Sequence, residues 1–243
     1  MKTYGLLGKH ISYSFSKGYF TKKFEEESLD CQYINLDLPA ISNLPEVLAQ
    51  HNMAGLNVTI PYKESIFQYL DAVDPVAREI GAVNVIHLQK DGTRTGYNSD
   101  YYGFKESLLP LLDHPYPKRA LILGTGGASK AIAYVLKQLN IKYTYVSRNP
   151  KKDQLPYTDL DKKQIQNHQL LINCTPLGTS PNVEQSPDIP YSFLTDQHIL
   201  YDLVYNPENT RFMKNGQLQG AKTCNGLQML ILQAEKAWEI WNS

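Results

Sequence analysis

Ala120-Leu121-Ile122-Leu123-Gly124-Thr125-Gly126-Gly127-Ala128-Ser129 is the stretch that decides the fold. Four apolar residues form a short buried strand and the glycines turn the chain. Beyond the turn, Ala128, Ala131, Ile132, Val135, Leu136 and Leu139 fall on one helical face. A strand at 143–146 then completes a βαβ unit. Gly124 permits the tight exit from the strand, and Gly126 lets a pyrophosphate approach the backbone. The helix N-terminus offers free N–H groups and the positive end of its dipole. Ser129 stands where a third glycine is usual. Gly124, Thr125, Gly126, Gly127, Ala128 and Ser129 are therefore candidate dinucleotide contacts. An ordinary strand-to-helix turn is the other reading of such a string.

Working outward, further strands are expected at 170–173 and 199–204. The segment 149–167 is polar and weakly periodic and receives no assigned structure. Towards the N-terminus a linking helix runs to 112, and the Pro-rich turn Asp113-His114-Pro115-Tyr116-Pro117 suits a boundary. The first hundred residues alternate strands at 4–7, 32–36 and 55–58 with helices. Ser16 is read as the cap of a helix with Tyr19, Phe20 and Phe24 on its apolar face. A short helix spans 44–50, and Pro61 suits the first turn of another. Asp91-Gly92 marks a hairpin between runs at 83–88 and 93–97, giving one mixed sheet. The last helix, from 226, carries Leu227, Leu230, Ile231, Ala234, Ala237, Trp238 and Trp241 on one stripe, which must pack on something. The expected architecture is α/β with two domains. The first is 1–100, with 225–243 packing back on it, and the second is a Rossmann-like domain over 101–224.

Composition narrows the function classes. Lys+Arg and Asp+Glu both number 24 in 243 residues, so no global basic field exists to hold a phosphate backbone, and nucleic acid is not expected as a partner. The three cysteines are an odd number without CxxC spacing, and the six histidines show no ligand spacing. This argues for a reducing compartment and against a metal. No apolar stretch approaches the eighteen residues of a membrane span. The expectation is a soluble, cytoplasmic protein.

Two strings in the first hundred residues carry ionisable groups among small polar side chains: Asn57-Val58-Thr59-Ile60-Pro61-Tyr62-Lys63 and Asn98-Ser99-Asp100. A lysine, an aspartate and a dinucleotide loop point to hydride chemistry on an alcohol, which needs a positioned group to take and return the hydroxyl proton. A lysine near its free pKa of about 10.4 is a poor base, and partial burial would improve it. A nearby carboxylate favours the ammonium instead, which leaves Asp100 to orient the substrate hydroxyl. Taken singly, Lys63 also reads as a helix-surface charge and Asn98-Ser99-Asp100 as a helix cap. Ser14 and Ser16 flank Phe15 at a helix start, where one hydroxyl can face a ligand carboxylate while the other caps. Thr59, Asn84 and Asn98 offer neutral donors and acceptors to a polyhydroxylated ligand, and each is also a common turn residue. At the end of the second βαβ strand, Ser147-Arg148-Asn149 lacks the acidic residue usual for NAD. Arg148 suits the 2'-phosphate of NADP, its other reading being one exposed charge among many.

Together these strings resemble the shikimate dehydrogenase family. The resemblance covers most of the chain and also takes in Gly81-Ala82-Val83-Asn84, Asn173-Cys174-Thr175-Pro176-Leu177-Gly178, Tyr201-Asp202-Leu203-Val204-Tyr205-Asn206-Pro207 and Asn225-Gly226-Leu227-Gln228-Met229-Leu230 through Gln233. It implies reversible reduction of 3-dehydroshikimate to shikimate with NADPH, on the route to chorismate and the aromatic amino acids. By position it implies Ser14 and Ser16 on the substrate carboxylate, Thr59, Asn84, Tyr205 and Gln233 around the ring, and Lys63 with Asp100 as the catalytic pair. Gly124 to Ser129 would hold the pyrophosphate, Ser147, Arg148 and Asn149 the adenosine 2'-phosphate. Thr175, Leu203, Gly226 and Met229 would lie along the nicotinamide. The resemblance further implies a small-molecule substrate, no nucleic-acid or membrane partner, and a monomer or homodimer. Tyr13, Lys17, Ser147, Asn149 and Thr179 depart from the residues usual in the family. The alternatives are an NAD-using quinate/shikimate dehydrogenase and a non-catalytic sensor of shikimate or nucleotide.

Overall fold

The structure is a computed structural model that describes residues 1–11 and 14–243. Tyr13, one of the departures just named, lies outside the described residues. The chain divides into two compact units, Met1–Ser99 with Ala234–Ser243, and Asp100–Gln233.

In the first unit the elements are β1 (Lys2–Gly8), α1 (Phe15–Glu26), β2 (Cys31–Asp37), α2 (Leu44–Gln50), β3 (Met53–Val58), β4 (Ala72–Val73), α3 (Pro75–Ile80), β5 (Val85–Leu88) and β6 (Arg94–Tyr97). They form a mixed sheet in the order β2-β1-β3-β5-β6-β4. β1 is parallel to β2 and β3, whereas β5 is antiparallel to β3 and β6. The carboxyl ends of β1, β2, β3 and β6 and the amino end of β5 therefore share one edge of the sheet.

Each face of this sheet buries its own core. One holds Leu7, Leu36, Leu56, Val58, Ile66 and Ile86. The other holds Tyr4, Phe20, Phe24, Tyr33, Ala237 and Trp241. The indole of Trp241 lies so close on Gly55 that a Cβ there would come within 2.4 Å of it, and Trp241 Nε1 donates to the Ile86 carbonyl at 3.0 Å. Removing such a ring costs ~3–5 kcal/mol. On the same face the Tyr19 hydroxyl donates to Glu235, which also accepts from Lys23 Nζ at 3.0 Å.

Three details differ from the sequence reading. The cap of α1 is Ser14, whose hydroxyl accepts the Lys17 N–H; Ser16 is already inside the helix because the helical register begins at Phe15. Pro61 starts no α-helix. The Lys63 carbonyl accepts the Val83 N–H instead of a helical partner, and only a 3₁₀ turn, Ser65–Tyr69, follows. α3 was not anticipated, although Asp74 caps it, Pro75 opens it and Gly81 at φ 72° closes it.

The second unit contains α4 (Asp100–Leu108), β7 (Arg119–Leu123), α5 (Gly127–Gln138), β8 (Lys142–Ser147), β9 (Gln154–Pro156), α6 (Lys162–Asn167), β10 (Leu170–Asn173), β11 (Ile199–Asp202), α7 (Arg211–Gln217), β12 (Lys222–Cys224) and α8 (Leu227–Trp241). Its sheet runs β12-β11-β10-β7-β8-β9, with every neighbouring pair parallel. Counted from β7 this is the order 3-2-1-4-5-6 of the doubly wound dinucleotide fold, with its switch point between β7 and β10. β10 and β11 are buried throughout, as central strands covered on both faces must be.

The linking helix ends at Leu108 and passes into a 3₁₀ turn containing Pro110, which has no N–H to continue the ladder. The segment 149–167 holds β9 and α6. The strand expected over 199–204 stops at Asp202, whose own carboxylate takes the Val204 N–H. α8 is shared by the two units. Its first half buries Met229 beside Phe104 and Tyr201, and its second half buries Ala234, Ala237 and Trp241. The division thus falls between Gln233 and Ala234, within the helix rather than at 225. Among the described residues no helix is long and apolar enough to cross a membrane, and no cluster of His, Cys, Asp or Glu is arranged to hold a metal.

Candidate active site

The polar residues singled out in the first unit gather at the sheet edge where β1, β2, β3 and β6 end. Ser14 donates to Asn35 Oδ1 at 3.1 Å, and Asn35 Nδ2 donates to the Ile11 carbonyl at 2.9 Å, which ties the entry of α1 to β2. Ser16 lies beside the hydroxyl of Tyr33. That hydroxyl, held far above its ordinary pKa by burial, donates to Asn57 Oδ1 at 2.7 Å. Asn57 reaches the Asn84 carbonyl, and the Asn84 amide oxygen accepts the Ser99 N–H at 2.6 Å while its nitrogen donates to Ser99 Oγ. A polar chain from Ser16 through Tyr33, Asn57 and Asn84 to Ser99 is thereby built into the edge. A buried network of this kind is rigid when all its members are satisfied.

Thr59 and Lys63 leave β3 at the same edge, both half-buried. The Thr59 N–H donates to the Leu7 carbonyl at 2.8 Å, and a Cβ on Gly8 would meet the Thr59 methyl at 2.6 Å, so Gly8 makes room for this residue. Lys63 is fixed through its carbonyl to Val83, the residue before Asn84. Asn98 donates to the Ala82 carbonyl at 2.8 Å and closes the edge beside Asn84.

Asp100 follows Ser99, is buried, and opens α4 in the second unit. Gly103 in α4 lets that helix approach α8 until a Cβ would stand 2.5 Å from the Met229 carbonyl and 3.1 Å from the Gln233 nitrogen. Gln233, half-buried, lies at this close approach of the two helices. Met229 packs its side chain into the core with Phe104 and Tyr201.

Of the residues read as cofactor contacts, Gly124, Ser147, Thr175 and Leu203 sit at the carboxyl ends of parallel strands of the second unit; Gly127, Ala128 and Ser129 lie in α5, and Gly226 and Met229 follow β12 into α8. Gly124 has φ 101° and a Cβ position 3.0 Å from the Thr175 methyl, so both conformation and space require glycine. Gly126 caps α5, and a Cβ on it would meet nothing within 4 Å among the described residues. Its backbone faces open space at a twelve-residue helix N-terminus, as a bound pyrophosphate requires. Thr125 is exposed, and Gly127 and Ala128 form the first turn of α5. Ser129 is buried and donates to the Gly126 carbonyl at 2.7 Å; a small residue is accommodated where the third glycine is usual.

At the end of β8, Ser147 Oγ accepts the Asn149 N–H, and Arg148 and Asn149 are exposed. Ser147 pairs with Pro156, the last residue of β9, and Tyr157 opens the 3₁₀ turn that follows, where burial pushes its pKa up to about 12. Thr175 follows β10 and both its N–H and its hydroxyl donate to Asn173 Oδ1, at 3.0 and 2.6 Å. The Leu203 N–H donates to the Asn173 carbonyl. Gly226 lies on Leu203 so closely that a Cβ would fall 2.2 Å from its carbonyl oxygen. Tyr205 is half-buried beyond β11.

Comparison with known proteins follows this layout. Residues 6–86 match the model of the shikimate dehydrogenase substrate binding domain. The NADP(+) shikimate dehydrogenase of Desulforamulus reducens is 36% identical over 98% of this chain and 88% of its own. The chain belongs to the shikimate dehydrogenase family. The structure of the family member from Aquifex aeolicus superposes with a TM-score of 0.89 at 29% identity, covering 100% of this chain and 92% of that one. The Thermus thermophilus shikimate 5-dehydrogenase, solved with NADP(H) and shikimate, gives 0.86 at 30% identity over 99% and 93%.

Several residues that build this site had no role in the sequence reading: Asn35, Tyr33, Asn173, Asp202 and Thr210. The signal for Asn173 and Asp202 was present, since each is a polar residue ending an otherwise apolar strand.

Proposed function

We propose that this protein catalyses the reversible NADP-dependent reduction of 3-dehydroshikimate to shikimate, in the biosynthesis of chorismate and the aromatic amino acids. The observation that carries the reading is the match of an NADP(+) shikimate dehydrogenase across 98% of the chain, with an open glycine cradle at Gly126 and Arg148 at the end of β8. The cofactor fits these residues: the helix N-terminus at Gly126 would take the pyrophosphate, and Arg148, with Ser147 and Asn149, the 2'-phosphate. When bound, NADPH supplies the hydride.

The proton is the chain's own task. In reduction the Lys63 ammonium gives its proton to the ketone oxygen as that oxygen becomes a hydroxyl; in oxidation the neutral amine takes it back. Asp100 accepts a hydrogen bond from the same hydroxyl and fixes its direction. Ser14 and Ser16 hold the substrate carboxylate at the start of α1, where the helix dipole favours an anion. Thr59, Asn84, Tyr205 and Gln233 line the ring. The Asn57 to Ser99 network keeps Asn84 in one orientation, which serves substrate positioning.

The test is absorbance of reduced nicotinamide when the enzyme is mixed with shikimate and either NADP or NAD. Faster turnover with NADP is expected; no signal with either at high enzyme concentration would overturn the reading, and preference for NAD would overturn the role of Arg148. The same reading puts the enzyme in the cytoplasm, supported by its free cysteines, as a monomer or homodimer that sedimentation would distinguish.

A further inference from the structure

Asp202 ends β11 with none of its surface exposed. Its Oδ1 accepts from Asn173 Nδ2 at 2.9 Å and from the Val204 N–H at 3.0 Å, and its Oδ2 accepts from the Thr210 hydroxyl at 2.6 Å. All three donors are neutral, so this carboxylate is buried on hydrogen bonds, an arrangement whose cost is offset only by good geometry. Asn173 is committed at both ends of its amide. Its nitrogen faces Asp202 and its oxygen takes the N–H and hydroxyl of Thr175. The Thr175 hydroxyl in turn accepts the Leu177 N–H, and its methyl lies against Gly124, the first glycine of the turn after β7. Thr210 caps α7 through the Met213 N–H.

One carboxylate thus joins the ends of β10 and β11 and the start of α7. An asparagine in its place would set an N–H₂ group against one of the present donors. By contrast, Ser147 ends β8 and Arg148 and Asn149 follow it, and β8 is separated from β11 by β10 and β7.

We propose that Asp202 is a positioning residue for the nicotinamide half of the cofactor, holding Thr175 through Asn173 and Leu203 through the Val204 turn, while leaving the adenosine end untouched. This rests on the NADP reading above. The experiment titrates wild-type protein, Asp202→Asn, Thr210→Val and Thr210→Ser with NADP and, separately, with 2',5'-ADP, and measures kcat for shikimate oxidation at saturating NADP. Asp202→Asn is expected to weaken NADP binding and lower kcat, each about tenfold, with 2',5'-ADP affinity within about twofold of wild type. Thr210→Val should give a smaller loss of the same selective kind, and Thr210→Ser, which keeps the hydroxyl, should restore it. If Asp202→Asn does not fold, the Thr210 pair decides. Parallel weakening of both ligands, or no change in either, would overturn the assignment. A wild-type protein that binds neither ligand would instead overturn the cofactor reading itself.

Discussion

The two sheet edges that carry the candidate residues, one in each unit, are made in different ways. In the first unit the edge is a mesh of side chains, Ser14 on Asn35 and Tyr33 on Asn57, with Asn84 on Ser99. In the second it is mostly backbone, shaped by glycines at 124, 126 and 226 and held from behind by one buried carboxylate. A surface built from side chains can match the separate hydroxyls and the carboxylate of a small ring. A surface built from N–H groups and missing Cβ atoms suits a diphosphate, which needs close approach and little else.

The difference can be broken or sharpened by substitution. Lys63→Ala should lower kcat by ~10²–10⁴ while the KM for shikimate changes far less, because the proton is transferred in the transition state; steady-state kinetics in both directions checks this, and equal losses in kcat and KM would contradict the role. Gly126→Ala should leave the melting temperature unchanged, since its Cβ enters open space, yet weaken NADP by roughly 5- to 150-fold, the equivalent of overpacking by 1–3 kcal/mol. Calorimetric titration beside a thermal melt separates the two effects.

Burial pushes the pKa of Asp202 up to about 6, against the pull of Thr210, Val204 and Asn173. A carboxyl whose pKa is higher folded than unfolded stabilises the fold fully below its unfolded value, about 3.9, and that stabilisation is lost as pH rises through about 6. Unfolding free energy measured from pH 4 to 7 should therefore fall by on the order of 2–3 kcal/mol more in the wild type than in Asp202→Asn. Equal slopes would contradict it. Tyr33→Phe should cost ~1–2 kcal/mol by denaturant melt, because Asn57 Oδ1 loses its buried donor. The smallest effect is expected at Tyr4, whose hydroxyl is buried without a hydrogen-bond partner among the described residues. Tyr4→Phe should be neutral or slightly stabilising, and a loss comparable with that of Tyr33→Phe would contradict the comparison.

The legible parts were those with strong local periodicity or unambiguous turn chemistry. The β7-turn-α5 unit, the hairpin at Asp91-Gly92 and the helix at 44–50 all stand where the residues put them. β9 and β12 are edge strands of three residues each, Gln154–Pro156 and Lys222–Cys224, too short and too polar to alternate. α3 and α7 are six and seven residues long, so their caps at Asp74 and Thr210 carried more signal than their apolar pattern. For the site, the motif strings marked the turns at the strand ends, with buried and exposed residues alike. The partners of Tyr33 and Asp202 depend on pairings between strands that are distant in the chain.

The most direct measurement is a structure of the protein with NADP and shikimate bound. The Arg148 guanidinium is expected on the 2'-phosphate, with Lys63 Nζ and the Asp100 carboxylate both within hydrogen-bond reach of the hydroxyl that is oxidised. A 2'-phosphate held away from Arg148, or a reacting hydroxyl that neither Lys63 nor Asp100 touches, would contradict it.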